Sequence, residues 1–239
     1  GSDLRSLEKD VWPEIAERQI ASLRCIACHE RDGRKDAWME LSPPEGAAKD
    51  PAETELPGPA QTIHRARPPL TWAGEKLLPE WIERLADGTL AYKPRPRLEA
   101  RMPAFPAHAH GLALGLAMQH GFPPATPDRD PAGASLAAIG QALTGPGSFI
   151  CVQCHPVGSH AALAGPDTET IPLERITDRL RKDFYDRFLL DPQAILPGTM
   201  MPRYTTDSGG SVLKEPFDGD AARQFDAIWH YLRSVESMK

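Results

Sequence analysis

The sequence predicts an all-α fold organised as two helical halves, and three observations carry that reading. Leucine occurs 24 times and valine five, and no run of alternating β-branched residues reaches strand length, so a sheet-based core is disfavoured. Apolar residues recur at three- and four-residue spacing near both ends of the chain, the period of an amphipathic helix. Proline makes up 25 of the 239 residues, about twice the usual 5%. Sixteen of these prolines lie between Pro43 and Pro131. Proline lacks an N–H donor and fixes φ, so that stretch reads as extended loop.

The elements follow in order. Leu4, Leu7, Val11 and Ile15 form a first stripe, with Pro13 expected to start or kink its helix. A short, glycine-containing helix is expected near residues 107–119, and residues 122–131 are proline-rich and read as a linker. Ser135 is placed to N-cap a helix presenting Leu136, Ile139 and Leu143. Phe225, Ile228, Trp229, Leu232 and Val235 make a last stripe, preceded by Asp218 and Asp220, which suit a helix N-terminus. The division expected is a first domain over 1–122, a linker over 123–134 and a second domain over 135–239.

Composition narrows the function classes. Lys and Arg number 27 against 33 Asp and Glu, a net charge of −6 with both signs interspersed, which argues against an electrostatic nucleic-acid binder. The longest apolar run, Gly111 to Met118, is far short of the roughly twenty residues of a spanning helix. Gly1-Ser2 reads as a cleavage scar, leaving room for a removed secretory signal.

All four cysteines fall in two C-x-x-C pairs, Cys25/Cys28 and Cys151/Cys154, each followed at once by a histidine, His29 and His155. With eight histidines in 239 residues, chance would place one after both pairs about once in a thousand. Two thiols three positions apart on one helical turn can each add across a vinyl group of one haem, leaving the adjacent imidazole beneath the iron. A redox dithiol, a structural disulfide or a four-cysteine zinc site would not need the histidines. Zinc ribbons also keep their pairs roughly 15 to 20 residues apart, whereas 122 residues separate Cys28 from Cys151.

Cys25-Ile26-Ala27-Cys28-His29 and Cys151-Val152-Gln153-Cys154-His155 resemble the attachment motifs of class I cytochromes c, present in tandem. The resemblance implies two haem c groups, a methionine as sixth iron ligand in each half and a proline-containing turn supporting the proximal histidine. The first half offers Pro69-Leu70 and Arg101-Met102-Pro103; the second offers Gly165-Pro166 and Met200-Met201-Pro202-Arg203. Proline to methionine spans 33 positions in one half and 35 in the other. Between them Glu80-Trp81-Ile82-Glu83-Arg84-Leu85 matches Asp183-Phe184-Tyr185-Asp186-Arg187-Phe188 in type, as a duplicated module with one insertion, about residues 31–67, would. Iron ligands are expected to be His29 with Met102 and His155 with Met201, the Met-Pro pairing favouring Met201 over Met200. The carbonyls of Pro69 and Pro166 are expected to accept from the proximal imidazoles. Arg101 and Arg203 are candidates for the haem propionates, with exposed loop arginines the equal alternative. Trp72, Trp81 and Trp229 are read as packing on haem or core. His64, His108, His110, His120, His160 and His230 are read as ordinary histidines, with His108 and His110 the alternatives for a bis-histidine first haem.

Histidine and thioether ligation raises the reduction potential relative to bis-histidine ligation and fills both axial positions. The expected function is therefore outer-sphere single-electron transfer between a donor and an acceptor protein. The alternatives are a di-haem peroxidase or sulfur-compound oxidoreductase with one labile site, an electron-transfer module of a larger dehydrogenase, or a haem-based gas sensor. As a family implication, the compartment is periplasmic or otherwise extracytoplasmic. Propionates would add to the acidic charge, so a basic partner patch is expected.

Overall fold

The computed structural model describes residues 5–37, 67–94, 101–123, 133–164, 170–197 and 199–236. It is mostly helical. Among the described residues there is no sheet, only the isolated bridges Arg31/Arg34, Val157/His160 and Thr205/Ser211. No described helix is long and apolar enough to cross a membrane. Most of the insertion, the residues from 38 to 66 with Trp38, Met39 and His64, and most of the linker lie outside the described residues. The chain divides into two compact units, residues 1–126 with 198–200, and residues 127–197 with 201–239.

The first unit contains α1 (Arg5–Ser22), α2 (Ala73–Lys76), α3 (Pro79–Asp87) and α4 (Ala109–Gln119). Helix α1 runs through Pro13, so the proline does not start it. Of the expected stripe, Val11 is exposed and Ile15 is half-buried, while Leu4 and the Leu7 side chain lie outside the described residues; Ala16 and Ile20 are buried. The helices cross closely here. A Cβ on Gly115 of α4 would lie 2.2 Å from the Trp12 carbonyl oxygen and 2.4 Å from the Ala16 Cβ, and one on Gly111 would lie 3.2 Å from Ile15 Cγ2, so small residues set the close α1–α4 approach. Ile20, Leu78, Trp81, Ile82, Leu112 and Leu116 complete this core.

The second unit contains α5 (Ala134–Thr144), α6 (Ile176–Arg179), α7 (Lys182–Leu190), α8 (Pro192–Ile195) and α9 (Ala221–Glu236). Here too the first helix packs on the last, but the glycine has changed sides: a Cβ on Gly140 of α5 would lie 2.0 Å from the Ala227 carbonyl oxygen. The α9 stripe of Phe225, Ile228, Leu232 and Val235 is buried with Phe149, Leu173, Tyr185 and Leu189. Asp220 caps α9, its Oδ1 accepting from the Arg223 N–H at 3.1 Å, the N3 geometry of a capping carboxylate. Helix α5 begins earlier than expected. Its N-cap is Gly133 rather than Ser135, because the Gly133 N–H donates to His230 Nδ1 at 2.9 Å and fixes the chain there.

Candidate functional site

The two C-x-x-C-H segments fold alike, bond for bond. The residue before the first cysteine is left-handed in both, Arg24 at φ 54° and Ile150 at φ 56°, an uncommon conformation for a β-branched residue and one that functional sites retain. A single 3-10 turn follows, Cys25–Ala27 and Cys151–Gln153. The His29 N–H donates to Cys25 O at 3.0 Å and the His155 N–H to Cys151 O at 3.0 Å. All four thiols are free and half-buried, and Cys25 and Cys151 pack against the cores of their units. Burial raises the pKa of the Cys25 thiol and pushes that of Cys151 up to about 12. Both favour an uncharged sulfur.

Each proximal histidine is oriented by a backbone carbonyl. His29 Nδ1 lies 2.8 Å from Pro68 O, and His155 Nδ1 lies 2.8 Å from Ile171 O. A carbonyl can only accept, so Nδ1 carries the proton and, in the neutral ring, Nε2 carries the lone pair. Thr170 adds a second acceptor in the second unit. Its hydroxyl donates to Cys154 O at 2.9 Å, and its oxygen lies 2.8 Å from His155 Nδ1.

These acceptors correct the expected ones. The carbonyl used in the first unit belongs to Pro68, one residue before Pro69, and that in the second to Ile171; Pro166 lies outside the described residues. Both acceptors precede a proline, Pro69 and Pro172, which holds the preceding residue extended. The following leucines tie the loops back, Leu70 N–H to Glu30 O and Leu173 N–H to Pro156 O, both at 2.8 Å. With Pro172 taken as the partner of Pro69, α2 and α3 fall in sequence register with α6 and α7, each 103 positions further on. The loop from histidine to acceptor spans 39 residues in one unit and 16 in the other, so the insertion amounts to 23 residues.

The methionines differ in setting. Met102 and Met200 are exposed, whereas Met201 packs against the core of the second unit with Tyr204. Met201 is thus the less exposed of the two neighbours. Arg101 is exposed. Arg203 is engaged in its own loop, with Asp207 Oδ1 at 3.1 Å and Thr206 O at 3.1 Å. Trp81 is buried and Trp229 packs on the core, but Trp72 is exposed, tilted against His120. His108 Nδ1 accepts from Gln19 Nε2 at 3.2 Å, and His110 Nδ1 is 3.2 Å from the Glu83 carboxylate.

Residues that the sequence reading passed over also matter. Arg179 and Arg181 are buried cations, at 7% and 3% exposure. Arg181 stands where the first unit has Leu78, a signal that appears only once Pro172 is aligned with Pro69. Among the described residues no three His, Cys, Asp or Glu side chains converge on a point that could hold a metal ion. No protein family, curated protein or solved structure was found to match the chain.

Proposed function

We propose that the chain is a di-haem c-type cytochrome that passes single electrons between redox partners. The observation that carries this reading is the duplicated attachment turn, in which two half-buried thiols and one carbonyl-oriented imidazole recur with the same backbone geometry. The residues suit the group. A buried thiol kept neutral is compatible with a thioether, and Cys25/Cys28 and Cys151/Cys154 would hold the two macrocycles. His29 and His155 would present Nε2 to iron, and Met102 and Met201 would supply the sixth ligands. The buried guanidinium groups of Arg179 and Arg181 offer charge complementary to propionates, so they replace Arg203 as the favoured candidates in the second unit. When bound, haem supplies a one-electron iron couple tuned by its axial ligands and their hydrogen bonds.

The residues of the chain then do three things. They fix the imidazole plane through the Pro68 and Ile171 carbonyls, keep solvent from the sulfurs, and present a thioether whose softness favours the reduced iron. Donor and acceptor proteins of basic surface, possession of an electron-supplying dehydrogenase partner, and an extracytoplasmic location belong to the same proposal. Its test is a stepwise redox titration with ferric and ferrous spectra. Two midpoints, with the far-red band of methionine-to-iron(III) charge transfer at both haems, are expected. A protein lacking that band, or holding one high-spin haem, overturns it in favour of bis-histidine ligation or the di-haem oxidoreductase. The exposure of Met102 is the observation that favours this second reading.

A further inference from the structure

We propose that Tyr204 is a latch that holds Met201 toward the second iron, and that the first haem, whose loop carries Phe105 at the matching place, is the one that admits an exogenous ligand. The inference rests on the two His/Met haems proposed above. Tyr204 follows Met201 by three residues, as Phe105 follows Met102. Its phenol donates to the carbonyl of Phe149, and the two rings lie 4.7 Å apart. Phe149 is itself buried against Phe225, centroids 5.8 Å apart, and stands two residues before Cys151. The methionine segment is therefore fastened directly to the segment that would carry the haem.

Neighbouring bonds hold the same stretch of chain. Thr205 Oγ1 donates to Leu190 O at 2.6 Å, and the Val212 N–H donates to Tyr204 O at 2.9 Å. Burial holds the Tyr204 phenol above its ordinary pKa, which keeps it a donor. Swinging Met201 away requires Tyr204 to give up a hydrogen bond to a carbonyl shielded from water, and that carbonyl would be left unsatisfied. Phe105 has the ring without the hydroxyl. Its N–H donates to Ala86 O at 2.6 Å, but this bond holds the backbone and leaves the methionine exposed at 41%. A small nitrogenous or diatomic ligand therefore meets the lower barrier at the first haem.

Imidazole titrated into the oxidised two-haem protein at neutral pH, followed by loss of the far-red band, tests this. Two phases are expected, a tight one that disappears in Met102→Ala and a weak one from the second haem. Tyr204→Phe is expected to tighten the weak phase by about tenfold, the size of one buried hydrogen bond, and to leave the tight phase unchanged. Assignment of the tight phase to Met201 by Met201→Ala, or a weak phase within twofold of native in Tyr204→Phe, overturns the latch. The native titration and the Met102→Ala assignment decide the order of opening even if Tyr204→Phe fails to mature. Native protein with haem but no far-red band overturns the His/Met reading instead.

Discussion

At the scale of single residues, the account turns on which atoms face iron and what holds them. Met200 and Met201 are adjacent, yet only Met201 is packed into its core. Met201→Ala is therefore expected to abolish the far-red band of one haem, and Met200→Ala to leave both bands; ferric spectra of the two variants check this. Thr170 gives His155 Nδ1 a second acceptor beside the Ile171 carbonyl. An acceptor on Nδ1–H makes the ligand a stronger donor and favours the oxidised iron. Thr170→Val is expected to raise one midpoint by less than the 59 mV that marks a tenfold change for one electron, read by redox titration. The cysteines and histidines were legible in the sequence because covalent attachment demands residue type and spacing together. The acceptors Pro68 and Ile171 were not, since any residue can offer a backbone carbonyl.

At the scale of elements, the close crossings of α1 on α4 and of α5 on α9 organise the two cores. Gly140→Ala would force a methyl group to within 2.0 Å of the Ala227 oxygen, and separating the helices is expected to cost about 3 kcal/mol. Gly133→Ala, whose new Cβ would meet nothing closer than 3.8 Å, is expected to change stability by about 0.5 kcal/mol or less. Urea unfolding of both variants checks the contrast. The α9 stripe and its Asp220 cap were readable because their spacing and residue type are local. The closeness of the α1–α4 crossing was not, because only the facing Gly115 shows that Ala16 and the Trp12 carbonyl lie at a point of close approach. The repeat register was readable from the α3 and α7 pattern but misaligned at its loop, where Pro166 and Pro172 compete and only the fold selects the second.

At the scale of the whole molecule, three half-to-fully buried phenols govern the alkaline limit. Tyr185 donates to Phe225 O at 2.8 Å, and burial raises the pKa of Tyr185, Tyr204 and Tyr231. Above the ordinary tyrosine pKa of 10.0 the unfolded chain loses these protons while the folded protein keeps them. Their contribution is thus present below that pH and is lost as pH rises toward the folded values. Tyr185 alone is expected to lower stability by up to about 1.4 kcal/mol per pH unit. Thermal melts between pH 9 and 11 should show the decline, and Tyr185→Phe should make it shallower.

The central claim is that both C-x-x-C-H turns hold haem covalently. The most direct test is the intact mass of the chain, matured in cells equipped for c-type haem attachment and measured after denaturation. The account predicts a mass raised by two haem groups, with all four thiols resistant to alkylation. A mass equal to that of the bare polypeptide, with four alkylatable thiols or two disulfides, would contradict it.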